Sequence, residues 1–431
     1  MAMAWRTVAI FFLIYTISFL DRQVLIYLVK PIRDSLGITD FQFSLIQGLA
    51  FATLYSTLGI PIGWLVDHRP RRAIVAVGVA VWSVGTIGCG LAQRFWQMLV
   101  GRIGLGAGEA TVSPASYSMI SDLFPPHRLT LALSIVGLGA QIGSVLAAAI
   151  AGYVALHTPP DGVDLWLLGR LQGWQFAMLL VGVTSLLLVP LIYSVPEPQR
   201  RGHVQIEAGT SRSEVMGLVR AHPRFYFGHF LGFGFASMVG WAVVVWSPTF
   251  FMRQHGWDIQ HAALATGSLS LFAGLPGTLL MGYVVDRWFA AGRRDAHLMF
   301  YGGAIIAMGI LVASAVLVES ANLALALIAL FNLTVNFIGV GASALQIVTP
   351  DRLRGRVSAI YLLVYNLLGL GLGPVMVAFM TDYVFRDDAR IGYALLVSVS
   401  ICAALSAVFL FSAARGMRCM AGRIGAGRSH A

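Results

Sequence analysis

The chain has 431 residues, of which 58% are hydrophobic and 11% charged, with a mean hydropathy of +0.78. A water-facing domain carries about 25% charged residues, so this composition excludes a soluble globule. Three scattered cysteines, Cys89, Cys402 and Cys419, exclude a disulfide framework and a cysteine metal centre, and the net charge of +10 requires an explanation.

Apolar runs of about 20 residues, each able to span a hydrocarbon core as a helix, recur along the whole length. Twelve are predicted: 6–29, 42–66, 73–92, 95–121, 128–156 and 173–195, then 222–251, 260–286, 296–318, 321–348, 354–380 and 389–414. The first is too long for a cleavable signal, carries Asp21 and Arg22, and lacks a small-residue cleavage pattern, so it reads as the first span. Lys and Arg divide unevenly between the two sides. Alternate gaps hold seven (Lys30, Arg33, Arg94, Arg170, Arg253, Arg386 and Arg390), whereas the termini and the other gaps hold twenty. Excess Lys/Arg marks the cytoplasmic side of short loops. The basic charge is therefore topology rather than a nucleic-acid footprint, and both termini are expected in the cytoplasm.

The expected organisation is a six-helix bundle over 1–195, a polar cytoplasmic linker over 196–221, a second six-helix bundle over 222–414, and a Gly- and Arg-rich disordered tail over 415–431. The halves echo each other. "GWLVDHRPRR" (63–72) closes the second run, and "GYVVDRWFAAGRR" (282–294) closes the eighth; "GSVLAAAIAGYV" (143–154) is echoed by "GPVMVAFMTDYV" (373–384). Such repeats fit a transporter with its site between two bundles.

Gly63, Asp67, Arg71 and Arg72 with their echo resemble the signature loop of the major facilitator superfamily. More narrowly, "FLDRQVL" (19–25), "GRIGLGAGEA" (101–110) with "SPASYSMISDLFPPHR" (113–128), and "GWQFAMLLVG" (173–182) are similar to its Spinster branch. The resemblance implies an all-α membrane protein of twelve transmembrane helices in two pseudo-symmetric six-helix bundles. The fifth run lacks the Gly-Pro usual in the drug-antiporter branch, which weakens a multidrug reading.

The charged residues inside the runs carry the chemistry. At 1.5 Å per helical residue, Glu109 lies about 20 Å from Asp122, Asp21 about 22 Å from Arg6, and Arg102 about 30 Å up its span. Arg102, Glu109, Ser113 and Ser116 share one helical stripe, while Gly101, Gly104, Gly108 and Ala115 form a neighbouring stripe of small residues suited to close packing. "GLGAGE" is not a dinucleotide loop, because no strand precedes it. An ionisable residue at the bilayer centre costs at least ~2.5–3.5 kcal/mol and needs a partner or a wet cavity. One reading is a static Arg–carboxylate pair joining the first and fourth spans. The other is a titrating site, since burial raises a carboxylate pKa and a mobile cation lowers it. Glu109 is the first candidate proton carrier and Asp21 the second; Arg22 and Arg102 suit an anionic head or a hold on Glu109.

The second half carries no mid-membrane acid or arginine. Its polar and aromatic candidates are Asn332, Asn336, Ser343 and Gln346 on one stripe and His229, Phe233, Ser237, Trp241 and Trp246 on another, with ordinary packing as the plain alternative for any single aromatic. The superfamily resemblance implies a central cavity lined by spans one, four, seven and ten. Arg22, Arg102, Ser113, Asn332, Asn336, Trp241 and Phe233 are then the expected substrate contacts. It also implies a conformational gate of Gly63, Asp67, Arg71, Arg72 and Asp122, with Asp286 its weaker counterpart; the plain alternative is that the arginines only set topology.

The expected function is a proton-coupled transporter of an amphipathic, lipid-like substrate, of lysophospholipid or sphingoid type by the Spinster resemblance. The alternative is an organic-anion or multidrug transporter of the same superfamily. An intramembrane enzyme would need a nucleophile or metal constellation in the spans, and only His229 lies clearly within one. A channel or receptor would not call for two repeated halves without a pore loop. The expected partners are that substrate, membrane lipids and protons as coupling ion, with no other cofactor and no nucleic acid. The expected state is a monomer in a bacterial cytoplasmic membrane; one lysine against twenty-eight arginines points to a GC-rich genome.

Overall fold

A computed structural model describes residues 2–159, 162–165, 169–199, 212–335, 337–350 and 353–428. The expected contact Asn336 lies outside the described residues.

The chain opens with α1 (Ala2–Tyr27), α2 (Val29–Leu36), α3 (Asp40–Ser44), a π-helical turn at Leu45–Ala50, and α4 (Phe51–His68). Gly37 closes α2 at φ +63°, where a Cβ would be strained. Thr39 starts α3 with a reciprocal cap: its hydroxyl accepts from the Gln42 N–H, and the Gln42 side chain accepts from the Thr39 N–H. Next come α5 (Arg71–Gly90), α6 (Phe95–Glu109), α7 (Val112–Leu123) and α8 (Pro126–His157). A two-stranded antiparallel hairpin, β1 (Val163–Leu165) and β2 (Gly169–Leu171), interrupts the helices and pairs Asp164 with Arg170. Then follow α9 (Gly173–Leu186), α10 (Leu188–Tyr193) and α11 (Arg212–Ala221).

The rest is α12 (Pro223–His255), α13 (Ile259–Leu269), α14 (Leu275–Ala290), α15 (Ala296–Leu317), α16 (Ala321–Thr334), α17 (Ile338–Val348), α18 (Arg354–Asn366), α19 (Gly373–Phe379) and α20 (Ile391–Arg428). Because α20 continues to Arg428, the described part of the tail is helical, where disorder was expected.

Among the described residues, ten helical segments are long and apolar enough to cross a membrane. An eleventh, Asp40–Gly59 with Pro61–His68, is bent by 44° where Pro61 removes a backbone donor. The run 95–121, expected as one helix, is divided between α6 and α7. Around the division Ala110 and Thr111 keep helical dihedrals, but the Thr111 N–H bonds back only three residues, to Gly108 O.

By internal contacts the described residues form two compact units. The first comprises Met1–His203, Ser247–Leu271 and Thr381–Asp388; the second comprises Val204–Trp246, Phe272–Met380 and Ala389–Ala431. In the first, α1 packs along α8, α5 lies against α6 and α9, and α13 packs on α8. In the second, α15 packs against α20 and α16, and α14 against α16. Glycines set the approach of α5 to α6. A Cβ at Gly101 would stand 2.6 Å from Cys89 Sγ and 2.8 Å from Gly85 O, and one at Gly108 would stand 2.6 Å from Trp82 N. Gly106 performs the same role against Phe51, whereas Gly104, expected in the seam, faces open space.

Candidate functional site

Four intramembrane charges expected from the sequence are brought together inside the first unit. Asp21, Arg22, Arg102 and Glu109 are all buried, with exposures of 0, 6, 0 and 2%. Arg22 on α1 donates through Nη2 to Glu109 Oε2 at the end of α6, forming a buried ion pair. The guanidinium carbon also lies 4.4 Å from the Phe51 ring centre, 4.8 Å from Phe19 and 5.1 Å from Tyr55. This aromatic surround favours a cation with little water. Asp21, adjacent in sequence, points elsewhere: its Oδ2 accepts from the Thr86 hydroxyl on α5. Each carboxyl keeps one buried oxygen without a partner, Asp21 Oδ1 and Glu109 Oε1. The two carboxyls thus have unequal partners and a spare acceptor each.

Arg102 forms no ion pair among the described residues. Its Nε reaches Ile46 O at 3.4 Å, and Nη2 reaches Gln47 O at 3.5 Å and Gln47 Oε1 at 3.2 Å, while Nη1 is buried without a partner. Ser113 accepts from the Tyr15 hydroxyl at 2.8 Å, which engages it with α1. Thr86 and Gln47 were not singled out in the sequence, since a neutral polar residue in an apolar run gives no signal of its partner.

In the second unit, Phe233 is fully buried among His229, Tyr301, Phe337 and Tyr361, with ring centres 4.9–6.2 Å away. In this conformation its ring is engaged by these four neighbours, which helical periodicity, fixing a face without naming what meets it, did not supply. Trp241 is half-buried. Asn332 spends its amide N–H on Ile328 O of its own helix at 2.8 Å.

The basic ends of the spans carry an ionic cluster around Arg71. Arg71, 1% exposed, donates to Asp122 and Ser118 through Nη1, to Glu197 Oε1 through Nε at 2.9 Å, and to Pro198 O through Nη2 at 2.7 Å. Glu197 also accepts from the backbone N–H groups of Arg71 and Arg72 at 3.2 and 2.9 Å, capping the N-terminus of α5 as an anion should. Burial pushes the Glu197 carboxyl up, but the Arg72 and Arg71 N–H groups and the Arg71 guanidinium outweigh it and hold it below the usual range. Glu197 was read only as linker. Asp67 and Asp286 are exposed, and a Cβ at Gly63 would meet nothing within 4 Å, so the close approach expected there is not made in this conformation. In the second unit Asp295, just ahead of α15, pairs with Arg418 of α20 at 3.0 Å.

A second ionic cluster, unforeseen in the sequence, lies at the opposite end of the first unit. Asp40, fully buried, is held by Arg33 at 2.9 Å and by both Arg253 terminal nitrogens at 2.6 and 2.9 Å. Asp388 accepts from Arg33 at 2.8 Å, and Asp382 accepts from the Phe41 N–H at 2.7 Å.

Known proteins resemble this chain over most of its length. An MFS-type efflux pump of Mycolicibacterium smegmatis is 26% identical over 408 residues, 92% of this chain and 89% of that protein. Protein spinster of Drosophila melanogaster is 25% identical over 399 residues, 89% of this chain and 62% of the fly protein. A crystal structure of a bacterial homolog to the human lysosomal transporter Spinster, in an inward-facing and occupied conformation, matches with a TM-score of 0.75 at 24% identity, covering 96% of both chains. That last likeness is one of fold. With the Major Facilitator Superfamily profile matching residues 11–374, the chain belongs to the major facilitator superfamily and resembles its Spinster branch.

Proposed function

We propose that this major facilitator transporter couples protons to the movement of an amphipathic, lipid-like substrate by alternating access. Glu109 and Asp21 are the proton carriers, Arg22 and Arg102 their counter-charges and the seat of an anionic head. The observation that carries this reading is the buried Asp21–Arg22–Glu109 constellation, in which each carboxyl retains an unpartnered oxygen. Protonating Glu109 removes the charge that holds Arg22, so a proton and an anionic substrate group can compete for the same guanidinium. Ser113, Trp241 and Asn332 are the remaining proposed contacts. The uneven distribution of Lys and Arg supports a cytoplasmic position for the Arg71 cluster and both termini, in a bacterial inner membrane. A monomer is proposed.

The test is uptake of labelled lysophospholipid into proteoliposomes under an imposed pH gradient, with Glu109→Gln alongside. Gradient-driven uptake that the substitution abolishes supports the reading; gradient-driven uptake that persists in Glu109→Gln moves the proton to Asp21. A second reading, export of drug-like compounds or organic anions, is favoured by the similarity to the mycobacterial efflux pump over nearly the whole chain. Absence of lysophospholipid uptake, with proton-driven movement of a cationic dye, selects it.

A further inference from the structure

Gln47 stands where three elements of the buried site meet. It lies in the π-helical turn Leu45–Ala50 that joins α3 to α4 and is fully buried. Its Oε1 accepts from Arg102 Nη2 on α6 at 3.2 Å, and its Nε2 donates to the backbone carbonyl of Arg22 on α1 at 3.1 Å. One amide side chain thus touches both arginines of the site.

The π turn explains why Arg102 rests there. A π-helical turn changes the regular i→i+4 pattern, and such turns occur often at functional sites. Here the carbonyls of Ile46 and Gln47 accept from Arg102 at 3.4 and 3.5 Å, and the Gln47 side chain supplies the shortest of the three contacts. All three acceptors are neutral. A buried guanidinium held only by neutral oxygens, with Nη1 still unpartnered, retains strong attraction for a carboxylate. Asp21 and Glu109 both lie within its electrostatic reach, and each presents a free buried oxygen.

We propose that Gln47 is a positioning residue that parks Arg102 away from the free oxygens of Asp21 and Glu109, and so sets the pH at which those carboxyls take up a proton. The inference rests on the proton-coupling reading above. Without the amide, Arg102 loses its shortest acceptor and turns to a carboxylate. An added cation favours the ionised carboxyl, so the protonation midpoint moves toward acid. The other groups facing this site are Arg22, already engaged by Glu109, Tyr55 of α4 beside Arg22, and the Cys89 thiol of α5 beside Arg102.

The experiment is a pH titration of the full chain in phosphatidylcholine vesicles, without substrate, followed by infrared difference spectroscopy of the protonated carboxyl band. Asp21→Asn and Glu109→Gln assign the band. Gln47→Leu is expected to move the midpoint about one pH unit toward acid, a tenfold loss of proton affinity at the low end of what a nearby cation produces. Gln47→Asn keeps an amide one methylene shorter; it is expected to shift less in the same direction, and it carries the test if the leucine variant does not fold. In an Arg102→Gln background, Gln47→Leu is expected to produce no further shift, which a merely structural role would not predict. An unshifted midpoint in the Gln47 variants overturns the inference while leaving proton coupling intact. An equal shift with and without Arg102 also overturns it. If no carboxyl of the unsubstituted protein titrates in the neutral range, the proton-coupling reading fails and takes this inference with it.

Discussion

Arg22 and Glu109, 87 residues apart, form an ion pair with side-chain exposures of 7 and 1%. Breaking such a pair by removing one partner strands a buried charge, at a cost of about 3–5 kcal/mol. Glu109→Ala is therefore expected to lower stability by that order, read as thermal unfolding of the detergent-solubilised protein. Arg22→Ala in the same background should recover part of the loss, because no charge is then left unpaired. A double variant as unstable as the sum of the singles would show that the two side chains do not act on each other.

The cluster around Asp40 is expected to outweigh a nearby pair that looks equivalent on paper. Lys30 and Asp34 lie 2.6 Å apart but are 74 and 64% exposed, whereas Asp40 is fully enclosed by Arg33 and Arg253. An exposed i,i+4 pair contributes about 0.3–0.5 kcal/mol, so Lys30→Gln should leave the unfolding midpoint nearly unchanged. Asp40→Asn removes the buried charge that Arg33 and Arg253 share and should lower the midpoint by several degrees, with little relief from salt. Equal effects from the two substitutions would contradict this ranking.

The contrast shows what the sequence could carry. Asp21, Arg22, Arg102 and Glu109 were legible because a charge in an apolar run has a cost that demands a reason. The helical spans were legible from run length but their interruptions were not: Ala110 and Thr111 give no breaker signal after Glu109, and the runs 260–286, 321–348 and 354–380 are divided as well. Gln47 and Thr86 were not legible, because a neutral side chain in a span can satisfy itself on its own backbone. Arg253 and Asp40 are 213 residues apart and Arg33 and Asp388 are 355 apart, so only the folded chain pairs them. Arg71 was recognised from its motif, but its acceptor Glu197 was not, because the linker carried no echo to mark it. The two units even reverse polarity here: the first sets Arg71 against Glu197, and the second sets Asp295 against Arg418.

Glu197 gives the Arg71 cluster a pH dependence whose sign is fixed. Its carboxyl is held below the ordinary range by the α5 N-terminus and Arg71. Its contribution is therefore full above the ordinary carboxylate pKa and is lost as pH falls through the lower folded value. The side chain is 30% exposed, so solvent screening limits the effect to about 1 kcal/mol or less. Hydrogen exchange of the Arg71 and Arg72 amides, corrected for the intrinsic rate, should show protection lost on acidification. Glu197→Gln should remove that dependence and lower protection at neutral pH. A pH response that survives the substitution would show that Glu197 does not carry it.

The glycines of α6 are expected to respond unequally to the same added methyl group. At Gly108 a Cβ would press on the Trp82 backbone nitrogen at 2.6 Å, and backbone cannot rotate away. Gly108→Ala must therefore separate α5 from α6, and overpacking of this kind costs about 1–3 kcal/mol. The shift would also displace Glu109, the next residue, and weaken its hold on Arg22. Gly104, half a turn from Gly106 and one turn before Gly108, has open space where its Cβ would stand. Gly104→Ala removes only the conformational freedom of glycine and should stabilise by up to about 1 kcal/mol. Thermal unfolding of the two variants side by side separates the effects: opposite signs are expected, and a loss at Gly104 comparable to that at Gly108 would mean that both glycines lie in the seam.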